Sequence, residues 1–283
     1  MNNKLRLIFS YYITPNGELT YIHKLHLYLL RKYAYIFNNI DMILVIDDLN
    51  NIDAINMHKQ YIQDILNVNY INFIIEQNDS YLREGKVYVK YVIDKLDEYA
   101  INDDLIFFGH TKGLTNENLE NTKIWISLMY YMNLEYLYEV IGKLLDTSRD
   151  DFKDYICYGT IYNNHHNTTI TKYTWMYTGS FHWINPKRLL DFININNIDI
   201  DFVHKIPIKN RTSAETFLPN IIDYTHVAFL NDQIYNKDAN TLTYEHHDIT
   251  YNKILYCACM HMQYDDYINF ISFYDNEIKE FNL

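Results

Sequence analysis

Basic charge is scarce in this sequence. Its 24 Lys and Arg stand against 36 Asp and Glu, a net charge of −12. A chain that acidic repels a phosphate backbone, so general nucleic-acid binding is excluded as its role. No basic amphipathic stretch suits an anionic membrane surface. No apolar run has the length of a membrane span. The short apolar stretch Leu5 to Ser10 lacks a long hydrophobic core and a small-residue cleavage site, and reads as a first strand, not a leader. Cysteine is limited to 3 of 283 residues, Cys157, Cys257 and Cys259. An odd count without a framework spacing points to a reducing compartment, and the expected location is cytoplasmic. The sequons at Asn78, Asn167 and Asn210 carry no meaning there.

Glycine (7) and proline (4) are also few. The Gly-x-x-x-x-Gly-Lys-Ser/Thr, Gly-x-Gly-x-x-Gly and Gly-x-Ser-x-Gly patterns are missing, which sets aside common NTPases, Rossmann dehydrogenases and serine hydrolases. What the chain has is core material: 48% hydrophobic and 16% aromatic residues. That is enough for a large buried core. The surplus of Tyr, Asn and Ile fits an AT-rich coding bias and is not read as function.

Strand and helix periodicities alternate through the first half. Strands are expected over Leu5–Tyr11, Met42–Ile46, Ile71–Ile75 and Leu105–Phe108. Helices are expected over Leu19–Phe37, Asp53–Leu66 and Gly85–Tyr99. Such alternation predicts an α/β fold with a mostly parallel sheet flanked by helices. The second half is less regular. Helical spacing covers Lys123–Leu145, Pro186–Ile195, Arg211–Ile222 and Tyr264–Phe281. Strand-like runs cover Tyr155–Tyr162, Thr174–Trp183 and Ile254–Met262. The expected organisation is residues 1–115 as a nucleotide-sugar-binding half and 116–283 as an acceptor-binding half with a C-terminal elaboration, both of one domain.

Open parallel sheets bind ligands beyond the carboxyl ends of their strands. The segments to inspect are therefore Ser10-Tyr11-Tyr12, Asp47-Asp48, Glu76-Gln77-Asn78 and Gly109-His110-Thr111-Lys112-Gly113. Asp47 or Asp48 could accept a hydrogen bond from a base N–H, or cap the next helix. In the last segment glycine stands at both ends, where it permits close backbone approach. Lys112 could neutralise a diphosphate as a point charge. His110 could meet phosphate, donate a proton or bind a metal, and an ordinary turn with a solvated lysine is the competing reading.

These segments resemble the GT-A glycosyltransferases, in particular rhamnan synthesis F-like and related bacterial and viral enzymes with a His-Thr-Lys segment. Phe107 to Gly113 carries that segment, and Val45 to Asp53 resembles the second-strand Asp motif. Asn78 to Lys86 loosely resembles an Asn-x-Gly region. Tyr177 to Trp183 resembles a Ser-Gly-Asn-Phe-Trp-Trp type segment, and Arg211 to Phe217 an acidic Ala-Glu segment. The resemblance spans roughly residues 5 to 220 in that order. It implies a GT-A-like fold and sugar transfer, of a hexose or deoxyhexose, from a UDP-, GDP- or dTDP-sugar to a glycan acceptor, as in polysaccharide biosynthesis.

Within that frame the donor-binding candidates are Ser10, Tyr11, Asp47, Asp48, Asn78, Lys86, His110, Thr111 and Lys112. Glu215 is the leading base for the acceptor hydroxyl, with His182 second. Gly179, Ser180 and Trp183 are candidates for sugar or acceptor contact, in an aromatic stretch that could equally be core. Where many such enzymes hold Mn2+ or Mg2+ on Asp-x-Asp, this chain has His110-Thr111-Lys112, so no metal ligand is assigned and metal dependence stays open. The His165-His166 and Glu245-His246-His247-Asp248 groups read as surface loops, and Cys257-x-Cys259 with His261 as buried thiols. Two other functions remain in view. One is a non-catalytic sugar- or nucleotide-binding module on the same fold. The other is a nucleotidyltransferase, disfavoured because Asp103-Asp104 lies at the wrong end of its strand and reads as a solvated turn. The acidic surface and aromatic excess are compatible with a homodimer.

Overall fold

Near-continuous apolar runs alternate with amphipathic ones along the chain, and each run takes the element that buries it. A computed structural model describes residues 4–79, 84–111, 113–114, 119–145, 155–159, 162–163, 176–177, 181–199, 218, 221–222, 226–229 and 264–279. The first strands are β1 (Lys4–Tyr12), β2 (Asn39–Ile46), β3 (Ile71–Gln77) and β4 (Asp104–His110). Between them lie α1 (Tyr21–Tyr33), α2 (Ile52–Leu66), α3 (Glu84–Tyr88) and α4 (Leu96–Ile101). Then come α5 (Leu119–Tyr130), α6 (Leu137–Leu145), β5 (Cys157–Gly159), β6 (Tyr162–Asn163), β7 (Met176–Tyr177), β8 (His182–Ile184), α7 (Pro186–Ile195), β9 (Val227–Phe229) and α8 (Tyr264–Phe273).

Seven strands form one sheet in the order β3-β2-β1-β4-β8-β5-β9, and β6 pairs with β7 separately. The first four strands are mutually parallel. Strand β8 runs antiparallel to both β4 and β5, and β9 is parallel to β5. The molecule is α/β, with a mostly parallel sheet flanked by helices. The two halves expected from sequence meet inside that sheet, where Phe107 of β4 lies opposite Trp183 of β8. The expected strand Thr174–Trp183 is split, its two ends pairing in different sheets. The expected strand Ile254–Met262 and most of the helix Arg211–Ile222 fall outside the described residues.

Alternation along the strands builds two cores. Leu7, Phe9 and Tyr11 of β1 join Met42 and Leu44 of β2 and Phe107 of β4 beneath α1, α2, α5 and α8. Ile8, Ile43, Ile106 and Phe108 point the other way, to α3, α4 and α7. Helix α1 starts at Thr20, whose hydroxyl accepts from the His23 amide while the His23 ring accepts from the Thr20 amide. This is a capping box with histidine in the usual place of glutamate. Asn51 caps α2 through the Ala54 amide, and Asn185 with Pro186 opens α7. The long helices expected over Gly85–Tyr99 and Lys123–Leu145 are each opened by one wide π turn, at Val89–Ile93 and Tyr131–Glu135. The Asn133 carbonyl in the second of these turns accepts the Trp183 indole N–H at 3.0 Å.

The amino ends of four strands are tied by a polar ladder. Asn72 of β3 donates to Asp41 at 2.9 Å, and Arg6 of β1 donates to Asp41 at 2.7 Å and to Asp104 of β4 at 3.0 Å. The Asp104 side chain is only 1% exposed. The reading of Asp103-Asp104 as a solvated turn is therefore corrected for Asp104, which the Arg6 guanidinium draws into the interior. Burial lowers the pKa of Arg6, but Asp41 and Asp104 outweigh it and hold the group charged.

Candidate functional site

The connections decide where the sheet opens. Helices α1 and α2 cover one face, and α3 and α4 cover the other. Chain leaving β1 turns to β2 on one side, while chain from β3 crosses back past β1 to reach β4. The strand order reverses between β1 and β4, and a crevice at the carboxyl ends follows.

Asp47, just past β2, is exposed at that edge. Its Oδ2 accepts the Tyr12 hydroxyl at 2.7 Å, and its Oδ1 accepts the Asn78 amide at 2.7 Å. Asn78 itself is held by its backbone N–H on the Ile46 carbonyl at 2.8 Å. Three strands thus aim one carboxylate at solvent, and its two neutral donors leave its charge in place. The neighbouring Asp48 does something else: it accepts from the Asn50 amide at 2.9 Å and shapes the turn into α2.

Thr111 closes the gap between β1 and β4. Its amide donates to the Ser10 carbonyl at 3.0 Å, and its Oγ1 accepts the Tyr12 N–H at 2.9 Å. His110 is 8% exposed, with its ring 5.8 Å from that of Phe181. Gly113 turns the chain at φ +88°, and a Cβ there would stand 2.3 Å from Thr122 Cγ2 of α5. Glycine is required at that turn. Gly109 is nearly as constrained, since a Cβ would meet Phe9 and Phe181 at 3.2 Å.

Lys86 of α3 reaches the Gln77 carbonyl at 3.4 Å, beside the same edge. It lines a small cleft with Val45, Gln77, Asp79 and Lys90. There Glu76 accepts from both Lys90 and Tyr91. Burial alone would raise the Glu76 pKa, but those two donors bring it below the ordinary range.

The structure brings Asp47, Asp48, Asn78, Lys86, His110 and Thr111 to one edge of the sheet, and it places others elsewhere. Ser10 is 4% exposed and serves the ladder through its backbone. Tyr11 is fully buried on the α1 face, donating to His58. Tyr12, one residue on, is the tyrosine that reaches the crevice; sequence inspection passed over it because strand parity could not be fixed in a run buried on both faces. His182 of β8 is 1% exposed within the sheet, its Nε2 3.1 Å from the Tyr88 hydroxyl, and burial pushes its pKa down to about 3. So enclosed, its ring packs against those of Tyr88 and Phe108. Trp183 is fully buried against Phe37 and Phe107, which makes it core and not a sugar platform. Lys112, Gly179, Ser180 and Glu215 lie outside the described residues.

Among the described residues no group of three or more His, Cys, Asp or Glu side chains could hold a metal ion. Among the same residues no helix is long and apolar enough to cross a membrane.

The sequence matches no protein-family model. Over 173 residues it is 31% identical to uncharacterized protein L175 of Acanthamoeba polyphaga mimivirus, a stretch covering 51% of this chain and 42% of that protein. The chain thus spans less than half the length of that relative. A solved structure, the 4-diphosphocytidyl-2C-methyl-D-erythritol synthase of Anaerococcus prevotii, aligns over 90% of this chain and 97% of its own at TM-score 0.35 and 11% identity. A likeness that remote carries no chemistry, and the fold assignment stands on strand order and the two covered faces.

Proposed function

We propose that the chain is a glycosyltransferase that seats a nucleotide-sugar donor in the crevice above β1, β2 and β4 and passes the sugar to a glycan acceptor. The observation behind this reading is the Tyr12–Asp47–Asn78 cluster, an oriented carboxylate at the open edge of a parallel sheet. A carboxylate accepts hydrogen bonds and cannot donate them. It suits a base edge that presents N–H groups, as uracil, thymine and guanine do. Cytosine presents a bare ring nitrogen at the corresponding position, and its N–H groups sit only on the exocyclic amine. UDP-, dTDP- and GDP-sugars are therefore favoured as donors.

The remaining roles follow the resemblance. Lys112, in the sequence segment between His110 and Gly113, is assigned to the departing diphosphate. Glu215 is assigned to the proton of the acceptor hydroxyl. Gly179 and Ser180 are assigned to the sugar. No role is assigned to a metal.

Thermal unfolding in the presence of UDP, dTDP, GDP and CMP tests the donor site. A nucleotide at about 100 times its dissociation constant stabilises the fold by about 2.7 kcal/mol. The expected result is a shift with a nucleotide bearing an N–H edge, none with CMP, and loss of the shift in Asp47→Asn. No shift with any nucleotide overturns the reading. Turnover of the matching nucleotide sugar then separates an enzyme from a binding module. Glu215→Gln should keep the thermal shift and lose transfer, and Lys112→Ala should lose both.

A further inference from the structure

The connection from β1 to α1, residues 13–20, borders the crevice directly after Tyr12. Two histidines on two different helices hold it, His23 at both ends and His58 at its middle. His23 of α1 lies 2.7 Å by Nε2 from the Tyr12 carbonyl, and the Thr20 amide donates to its Nδ1 at 3.1 Å. His58 of α2 lies 3.1 Å by Nε2 from the Gly17 carbonyl, and its Nδ1 is 2.9 Å from the Tyr11 hydroxyl. A carbonyl can only accept, so both rings carry their proton on Nε2 and accept on Nδ1. The two rings are 5.2 Å apart and both are fully buried. Gly17 sits at φ +71° with space for no side chain, since a Cβ would stand 2.8 Å from the Ala54 Cβ of α2.

We propose that His23 and His58 are positioning residues for the crevice, fixing the 13–20 connection and the Tyr12 backbone so that the Tyr12 hydroxyl stays on Asp47. This rests on the crevice being the ligand site. The arrangement requires both rings neutral. A proton on His23 Nδ1 would set an N–H against the Thr20 N–H and take away that half of the capping box. Charges on both rings would repel across the short gap between them. The titratable groups bearing on the pair are Tyr11 of β1, each ring on the other, and Tyr61 of α2 beside Tyr11. Burial first, then the neighbouring His58, pushes the His23 pKa down to about 4, against the backbone bond to Tyr12. Burial lowers that of His58 as well.

The sign follows. An opened loop exposes histidines with an ordinary pKa near 6.5, while the closed one resists protons until about pH 4. Opening is therefore promoted as pH falls between those values. For His23 alone, going from pH 7 to pH 5 multiplies the open population by roughly twentyfold.

Hydrogen exchange of the full chain, read at peptides covering residues 13–20 and at β1, β2 and β4, tests this without a ligand. After correction for intrinsic rates, the wild-type loop should lose at least tenfold protection from pH 7 to pH 5 while the strands hold theirs. Gln can donate from the place of Nε2 but does not titrate, so His23→Gln and His58→Gln should keep the loop closed at pH 7 and flatten its pH dependence. His58→Ala should open it at pH 7. A loop whose exchange ignores pH, or follows the strands in every variant, overturns the proposal. Titration with UDP is read beside it. Affinity should fall with the loop's opening in wild type and stay level with pH in the Gln variants. UDP that binds with affinity unchanged while the loop opens also overturns the positioning role. UDP that binds nowhere refutes the uracil-nucleotide reading of the crevice, and the exchange data alone then decide whether the histidines hold the loop.

Discussion

The same four strands carry a polar ladder at each end, and the two ladders differ in what they leave open. At the amino ends, Asn72, Asp41, Arg6 and Asp104 run from β3 to β4, with a guanidinium between two carboxylates. The Arg6 plane also covers the Tyr99 ring at 5.0 Å. At the carboxyl ends, Asn78, Asp47, Tyr12 and Thr111 run across in the same order. Here the donors on the carboxylate are neutral and Asp47 faces solvent. The first ladder sets its cation between its two carboxylates and reads as structural. The second leaves an oriented negative charge for an incoming N–H group.

Substitutions at the two edges should therefore separate stability from binding. Arg6→Met removes the cation and strands two buried carboxylates, a loss of about 3–5 kcal/mol. Urea unfolding measures it, and a loss under about 1 kcal/mol would show that the amino-end ladder is not closed off from water. Acid should work in the opposite place. Arg6 keeps its charge throughout, whereas the carboxyl end leans on neutral His23 and His58, with His182 in β8 of the sheet. All three have pKa values lowered by burial. Their contribution is whole above about pH 6.5 and declines as pH falls toward 4 for His23 and 3 for His182. Each should add about 1.4 kcal/mol per pH unit to the slope of stability within its window. Urea titrations at successive pH values read that slope, and His23→Gln should make it shallower. Asp47→Asn comes next: stability within about 0.5 kcal/mol of wild type, but about 1.5–3 kcal/mol less binding for the nucleotide that responds. Equal losses in both quantities would make the two edges alike.

The sheet was legible because parallel strands buried on both faces print apolar runs, and the helices between them print a different period. Strands β1 to β4 and helix Pro186–Ile195 fall where those patterns put them. The same burial hid the site's details. In Ser10-Tyr11-Tyr12 nothing alternates, so the pattern could not say which tyrosine turns toward the crevice. His182 and Trp183 read as chemistry because enclosed aromatic and imidazole side chains have no signature of their own. Arg6 did leave a signal: a lone cation inside an apolar strand needs buried anions, and Asp41 and Asp104 lie opposite Ile8 and Lys4, two residues to either side of Arg6. The wide turns at Val89–Ile93 and Tyr131–Glu135 were not legible, since each keeps the apolar spacing on either side.

The adjacent pair Tyr11 and Tyr12 gives the smallest and sharpest test. Both hydroxyls donate, one to buried His58 and the other to exposed Asp47. Tyr11→Phe leaves a buried imidazole nitrogen without its donor and should cost about 1–3 kcal/mol of stability. Tyr12→Phe leaves a carboxylate that water can still solvate, so its stability should change by less than about 0.5 kcal/mol. What Tyr12→Phe takes away is orientation. Asp47 keeps only the Asn78 contact and regains rotation that a ligand must then quench. The expected effect is roughly two- to fivefold weaker nucleotide binding, about 0.5–1 kcal/mol of side-chain ordering. Paired urea unfolding and nucleotide titration on the two variants read both numbers. Equal losses of stability would mean that the two tyrosines do not face opposite sides of the sheet, and the crevice would have to be built on another residue.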